Sequence, residues 1–229
     1  MMIYIYLFSW SLAGVFGVDS VKSVSVTEGE SVSLNSDLTE IQRDDEIMWK
    51  FNNIMIAKIS EKDSKSRFYE DSADGRFRDR LKLDQTGSLI ITNTRTTDSG
   101  EYKVTGKSSG IPLNIFSLTV YAPVPVPVIT RDSPQNSSSS YCSLVCSVVN
   151  VSAVTLSWYK GNSLLSSISE SDLSRSLSLH LECLDDFYSC VVSNPISNQT
   201  THLNTELCHT CSGKSAIIFS VYEHIHSNE

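Results

Sequence analysis

Between residues 20 and 121 apolar and polar positions alternate in short runs divided by polar turns. Val24 and Val26, then Val32 and Leu34, alternate with serine and threonine, and IMWKF (Ile47–Phe51) meets IMIAKI (Ile54–Ile59) across Asn52-Asn53. LKL (Leu81–Leu83), SLII (Ser88–Ile91), YKV (Tyr102–Val104) and IFSLTVY (Ile115–Tyr121) follow. A period of two puts successive side chains on opposite faces of a strand, and no window keeps the 3.6-residue period of a long helix. Many short strands at this spacing predict an all-β sandwich. The pattern resumes after residue 135, so the 229 residues divide into two domains of ordinary size.

DSGEYKV (Asp98–Val104) carries the signature D-x-G-x-Y-x-C of an immunoglobulin-type domain, with Val104 in place of the cysteine. Trp49 takes the place of the tryptophan that packs across such a core, and Tyr102 that of the tyrosine corner. Leu34 and Val104 then occupy the two positions of the usual inter-sheet disulfide, 15 residues before and 55 after Trp49. Omitting that bridge costs about 2–5 kcal/mol. Burying a leucine and a valine returns roughly 1.5–3 kcal/mol each, so the exchange is close to even. Arg80, just before LKL, is expected to form an ion pair with Asp98 across the bottom of the sandwich. The 55-residue interval leaves room for the C′ and C″ strands of a variable-type domain.

In the second half Cys146 lies 12 residues before Trp158 and Cys190 closes DFYSC (Asp186–Cys190), which predicts a Cys146–Cys190 inter-sheet bridge packed on Trp158. Only 32 residues separate Trp158 from Cys190, which favours a C2-type set. The expected architecture is thus two tandem immunoglobulin-like β-sandwiches: a variable-type domain without the bridge over 18–121 and a C2-type domain over 135–211. The segment 122–134, with Pro123, Pro125 and Pro127 at alternate positions, is expected as a semi-rigid extended spacer.

CSLVC (Cys142–Cys146), YSCVVSNPISNQTTHLNTELC (Tyr188–Cys208) and GRFRDRLKLDQTGSLIITNTRTTDSGEYKV (Gly75–Val104) together resemble the signalling lymphocyte activation molecule (SLAM) family and related lymphocyte adhesion ligands. The resemblance implies a Cys142–Cys208 bridge. Cys183 and Cys211 remain, and a bridge between them is the simplest arrangement, although six cysteines allow many connectivities. It also implies leukocyte adhesion. The exposed GFCC′C″ sheet of the first domain would dock on a protein of another cell, either a second copy or a related immunoglobulin-superfamily receptor.

With Trp49 and Val104 pointing inward, Lys50, Lys103 and Thr105 point outward on that face, and Lys58, Glu61 and Lys107 are assigned to it with them. Of 44 charged residues 31 lie between Val18 and Ala122 (14 basic, 17 acidic), and mixed charge on a docking face sets specificity and on-rate. The sequons at Asn136, Asn150 and Asn198 all fall in the second half, which leaves the first domain free of bulky sugars. A net charge of −8 opposes nucleic-acid binding.

Residues 1–17, a short apolar run ending in small residues, read as a secretory signal peptide. Secretion suits disulfide formation, so the chain is expected outside the cell, with membrane-anchored forms in the same family. The tail 212–229 has one apolar run, AIIFSVY, well short of the roughly 20 residues a membrane span needs. SVYEHI (Ser220–Ile225) matches the tyrosine pattern of inhibitory receptor tails at Tyr222, a match that also arises by chance. The alternatives are a soluble decoy form and an adhesion molecule outside the immune system. CHTC (Cys208–Cys211) matches a redox or zinc pattern, but neither a thioredoxin-like βαβ context nor a second C-x-x-C accompanies it. No catalytic constellation, cofactor motif or metal-ligand set stands out, and the reading is of a binding protein, not an enzyme.

Overall fold

A computed structural model describes residues 20–38, 46–60, 65–107, 112–132, 141–149, 154–170, 174–213 and 218–225. In the first half, alternation becomes nine strands: β1 (Lys22–Thr27), β2 (Val32–Leu34), β3 (Glu46–Phe51), β4 (Ile54–Ser60), β5 (Lys65–Phe68), β6 (Leu81–Leu83), β7 (Leu89–Ile91), β8 (Gly100–Gly106) and β9 (Pro112–Tyr121). They form a six-stranded sheet, β1-β9-β8-β3-β4-β5, and a three-stranded sheet, β2-β7-β6. In β3 Ile47, Trp49 and Phe51 are buried, while Glu46, Met48 and Lys50 between them are not. The same rule buries Tyr102 and Val104 in β8 and Phe116, Leu118 and Val120 in β9.

Leu34 and Val104 are both fully buried, one in each sheet. Trp49 pairs in register with Val104, and its ring stacks on Phe116 at 6.0 Å. The indole N–H, which would be costly to bury unpaired, donates to the Gly87 carbonyl at 2.8 Å. At the other end Tyr102 packs on Phe51 at 5.0 Å and Phe51 on Phe77 at 5.2 Å, so aromatic rings fill the base of this core. Asn52 and Asn53, with φ of 44° and 68°, make the tight β3–β4 turn. Asparagine tolerates this left-handed geometry better than most residues, and such turns match the strand twist.

The second half has eight strands: β10 (Val128–Arg131), β11 (Cys142–Val149), β12 (Val154–Lys160), β13 (Ser163–Glu170), β14 (Ser174–Leu181), β15 (Tyr188–Ser193), β16 (Asn198–His202) and β17 (Ile218–Ile225). One sheet runs β10-β11-β14-β17 and the other β13-β12-β15-β16. Cys146 in β11 is bridged to Cys190 in β15, and Trp158, paired with Cys190, is fully buried. The Trp158 indole donates to the Leu177 carbonyl at 2.8 Å. Bridges Cys142–Cys208 and Cys183–Cys211 also form. The second draws the chain after β16 alongside the chain before β15, where Leu184 N–H donates to His209 O and Cys211 N–H to Leu184 O. The fold class is therefore two tandem immunoglobulin-like sandwiches, the first with an apolar pair where the second has its inter-sheet bridge.

Two segments depart from expectation. The spacer does not run to Pro134: Val128–Arg131 is β10, paired antiparallel with β11. Val124 is buried with the core of the second sandwich, where its apolar side chain is removed from water. The region after Cys211 is not a loose tail throughout. IFSVYEHI pairs over its length with β14, where a β-branched and aromatic run supplies a partner to otherwise open backbone groups.

Candidate functional site

The outer face of the six-stranded sheet is built by register. Met48 lies between Lys58 of β4 and Thr105 of β8, and Lys50 between Met55 and Lys103. Toward β5, Lys58 stands opposite Arg67 and Ser60 opposite Lys65. Lys107 extends the alternation of Lys103 and Thr105, and its backbone N–H donates to Glu46 O. A bulge between Trp49 and Lys50 shifts the β3–β4 register. That shift sets Met55, rather than Ile56, opposite Lys50.

Two ion pairs hold part of this surface. Lys58 Nζ donates to Glu46 Oε1 at 2.5 Å, each side chain about one-fifth exposed. The hydrogen bond from Lys58 holds the Glu46 carboxyl below the usual carboxylate range, and the same bond raises the Lys58 ammonium. Lys103 lies 2.8 Å from Glu101 and also reaches Asn53 Oδ1 at 3.4 Å. The apolar component is small: Met48 and Met55 are partly exposed, and Leu113 in β9 is exposed. Methionine adapts its shape to irregular partners.

Lys50, Lys58, Lys103, Thr105 and Lys107 are thus placed on one continuous face. Glu61 lies outside the described residues, as do residues 1–17, Asn136 and Asn150. Tyr222 lies in β17, opposite Ser178 of β14. Sequence reasoning missed Glu46, Met48, Lys65, Arg67 and Glu101 as members of the face. Alternation from Trp49 was signal enough for Met48 and Glu46, whereas Arg67 needed the β4–β5 register.

Arg80 and Asp98 are both buried. Arg80 donates to the Arg76 carbonyl and lies over the Phe77 ring, and Asp98 Oδ2 accepts from Arg95 N–H at 2.9 Å.

The outer face of β13-β12-β15-β16 is different in chemistry. Asn198 begins β16 and is exposed, opposite Ser193, which is opposite Thr155, which is opposite Ser169. The next row is Thr200, Val191, Ser157 and Ser167. Hydroxyls bond across it, Thr155 with Ser169 at 2.7 Å and Ser157 to Ser167 at 2.9 Å. These two rows carry no formal charge. At the edge of the same sandwich Tyr188 donates to Asp185 at 2.8 Å and Lys160 to Asp185 at 2.6 Å. Burial first, and then the Asp185 bond, push the Tyr188 phenol upward. Among the described residues no group of three or more metal-ligating side chains converges, and no helix is long and apolar enough to cross a membrane.

The fold is that of tandem immunoglobulin domains. No family model matches the chain. Over 136 residues it is 31% identical to the hepatic and glial cell adhesion molecule of Bos taurus, a match covering 53% of this chain and 31% of that protein. The Mus musculus counterpart matches equally. The chain thus spans about a third of the length of the curated relatives it matches. Among solved structures, the mouse nectin-like molecule 4 ectodomain superposes with a TM-score of 0.59 at 16% identity, covering 80% of this chain and 65% of that one. Murine CEACAM1b gives 0.54 at 16% identity, covering 77% and 91%.

Proposed function

We propose that this is an extracellular recognition protein that binds another protein through the outer face of β1-β9-β8-β3-β4-β5. The observation that carries the proposal is the face itself. Its flat central rows present partly exposed methionines among fixed ion pairs and further lysines, and among the described residues no other layer covers them. Such a mixture gives an adaptable apolar centre and a polar, charge-selective surround. The similarity to an adhesion molecule supports a general role in adhesion or recognition. Within that role, the SLAM-like motifs favour a leukocyte protein that meets a second copy or a related receptor on another cell. The second sandwich, with three disulfides and a sequon on its hydroxyl face, serves as a stiffened stalk. The Arg80–Asp98 ion pair is proposed as a support at the base of the binding domain.

The test is staining of leukocyte lines by a fluorescent multimer of the full chain, compared with Lys50→Glu and Thr105→Arg. Both substitutions lie on the proposed face and should abolish staining while leaving the thermal midpoint within a few degrees. Staining unchanged by both would sink the face assignment.

A further inference from the structure

The charge on this face is opposite in sign to that of the chain. Register places six cations, Lys50, Lys58, Lys65, Arg67, Lys103 and Lys107, on the outer face of β8, β3, β4 and β5 and just beyond. Only two described carboxylates, Glu46 and Glu101, share it, which leaves an excess of four positive charges among the described residues of the face, and Glu61, assigned to the same face from sequence, would still leave three, on a chain whose formal net charge is −8. Both carboxylates are engaged by lysines of the same face, at 2.5 and 2.8 Å, so their acceptor capacity is partly used within the molecule. The β1 and β9 side of the sheet adds no carboxylate to the outer face. Ser117, Thr119 and Tyr121 alternate there with buried Phe116, Leu118 and Val120.

We infer that the partner presents an acidic protein surface to this face, and that the face does not pair with itself in a second copy. The inference rests on the proposed recognition role of the same face. The argument is one of symmetry and sign. A twofold dimer is isologous, so each patch meets the same patch on the other copy. Here that would bring two sets of excess cations together in a partly desolvated interface. Like-charge juxtaposition disfavours such a partner, whereas a complementary acidic face gains both attraction and faster encounter. The methionines at Met48 and Met55 supply the contact that is insensitive to sign, and the lysines and Arg67 select among partners that could make it.

The experiment uses beads coated with the full chain and beads coated with the variant K50E/K65E/R67E/K107E. That set spares Lys58 and Lys103, whose internal ion pairs support the strands. Wild-type beads should stay dispersed among themselves and co-aggregate with the reversed beads, by about tenfold or more over the wild-type pair, because the reversed face is a defined acidic probe of matching size. The co-aggregates should dissolve as salt rises from about 0.05 to about 0.3 M. Beads carrying the corresponding glutamine variant should fail to join the reversed beads, and equal thermal midpoints would verify that all variants are folded. Aggregation of wild-type beads with one another as strong as the mixed aggregation would overturn the acidic-partner inference while leaving the recognition face standing. Dispersed beads in both mixtures would also overturn it. Failure of the recognition role itself is read separately, from cell staining that survives Lys50→Glu and Thr105→Arg.

Discussion

Reduction of the intact chain should separate the fates of its two sandwiches. The first holds its sheets together at Leu34, Trp49 and Val104 without a covalent link; the second has Cys146–Cys190 at the equivalent place, closing 44 residues, and two further bridges. Opening a loop of that length returns about 4 kcal/mol of chain entropy to the unfolded state. Small domains have only about 5–15 kcal/mol of stability in total. Under a reductant at neutral pH, which also opens the two further bridges, globally exchanging amides of β12 and β15 should therefore exchange at least about a thousandfold faster. Those of β3 and β8 should not change. Hydrogen-exchange mass spectrometry on the full chain reads both regions in one sample. Leu34→Ala should give the inverse pattern, costing about 2–5 kcal/mol in the first sandwich only. Equal acceleration of β3 and β8 on reduction would refute the claim that an apolar pair substitutes for the bridge.

Other outcomes can be checked on the same protein. The Glu46–Lys58 pair stabilises the fold above the unfolded carboxyl range, near pH 4.3, and below the unfolded lysine range, near pH 10.4. Glu46→Gln should therefore destabilise the chain in denaturant titrations at pH 7, and the cost should shrink progressively as pH falls below the unfolded carboxyl range and through the lowered folded one. Gly100→Ala places a Cβ 2.7 Å from Phe51 Cε2 and 3.0 Å from Asn52 Oδ1, and should cost about 1–3 kcal/mol by the same titration. If Arg80 and Asp98 form the proposed ion pair, Arg80→Met and Asp98→Asn should each cost about 3–5 kcal/mol, and the double variant much less than their sum. Additive costs would exclude it. Asn198→Gln and Thr200→Ala should each remove the same glycan mass from chain secreted by animal cells, read by intact-mass spectrometry.

Much of the fold was legible because alternation and burial coincide. Ile47, Trp49 and Phe51 lie inward and their neighbours outward as the sequence pattern requires. What the pattern could not reveal was register. The bulge after Trp49 and the pairing of Lys58 with Arg67 depend on how strands slide past one another, and no local residue preference fixes that. The cationic excess of the face was hidden for the same reason, since Lys65 and Arg67 sit in an exposed edge strand with no buried alternation. Linear reading also misled at β10 and β17. Prolines before Val128 and polar residues after Cys211 look like connectors, but backbone pairing at a sheet edge asks only for an extended segment.

β17 also bears on the order in which the molecule is made. β14 ends at Leu181, while the strand that pairs with its open side begins at Ile218. At a synthesis rate of about 5–20 residues per second, the intervening chain takes a few seconds to emerge. Throughout that interval the first sandwich can already be complete, whereas β14 presents an unpaired edge to its surroundings. The vulnerable moment for mispairing thus belongs to the covalently reinforced domain, and it closes only when the latest strand arrives.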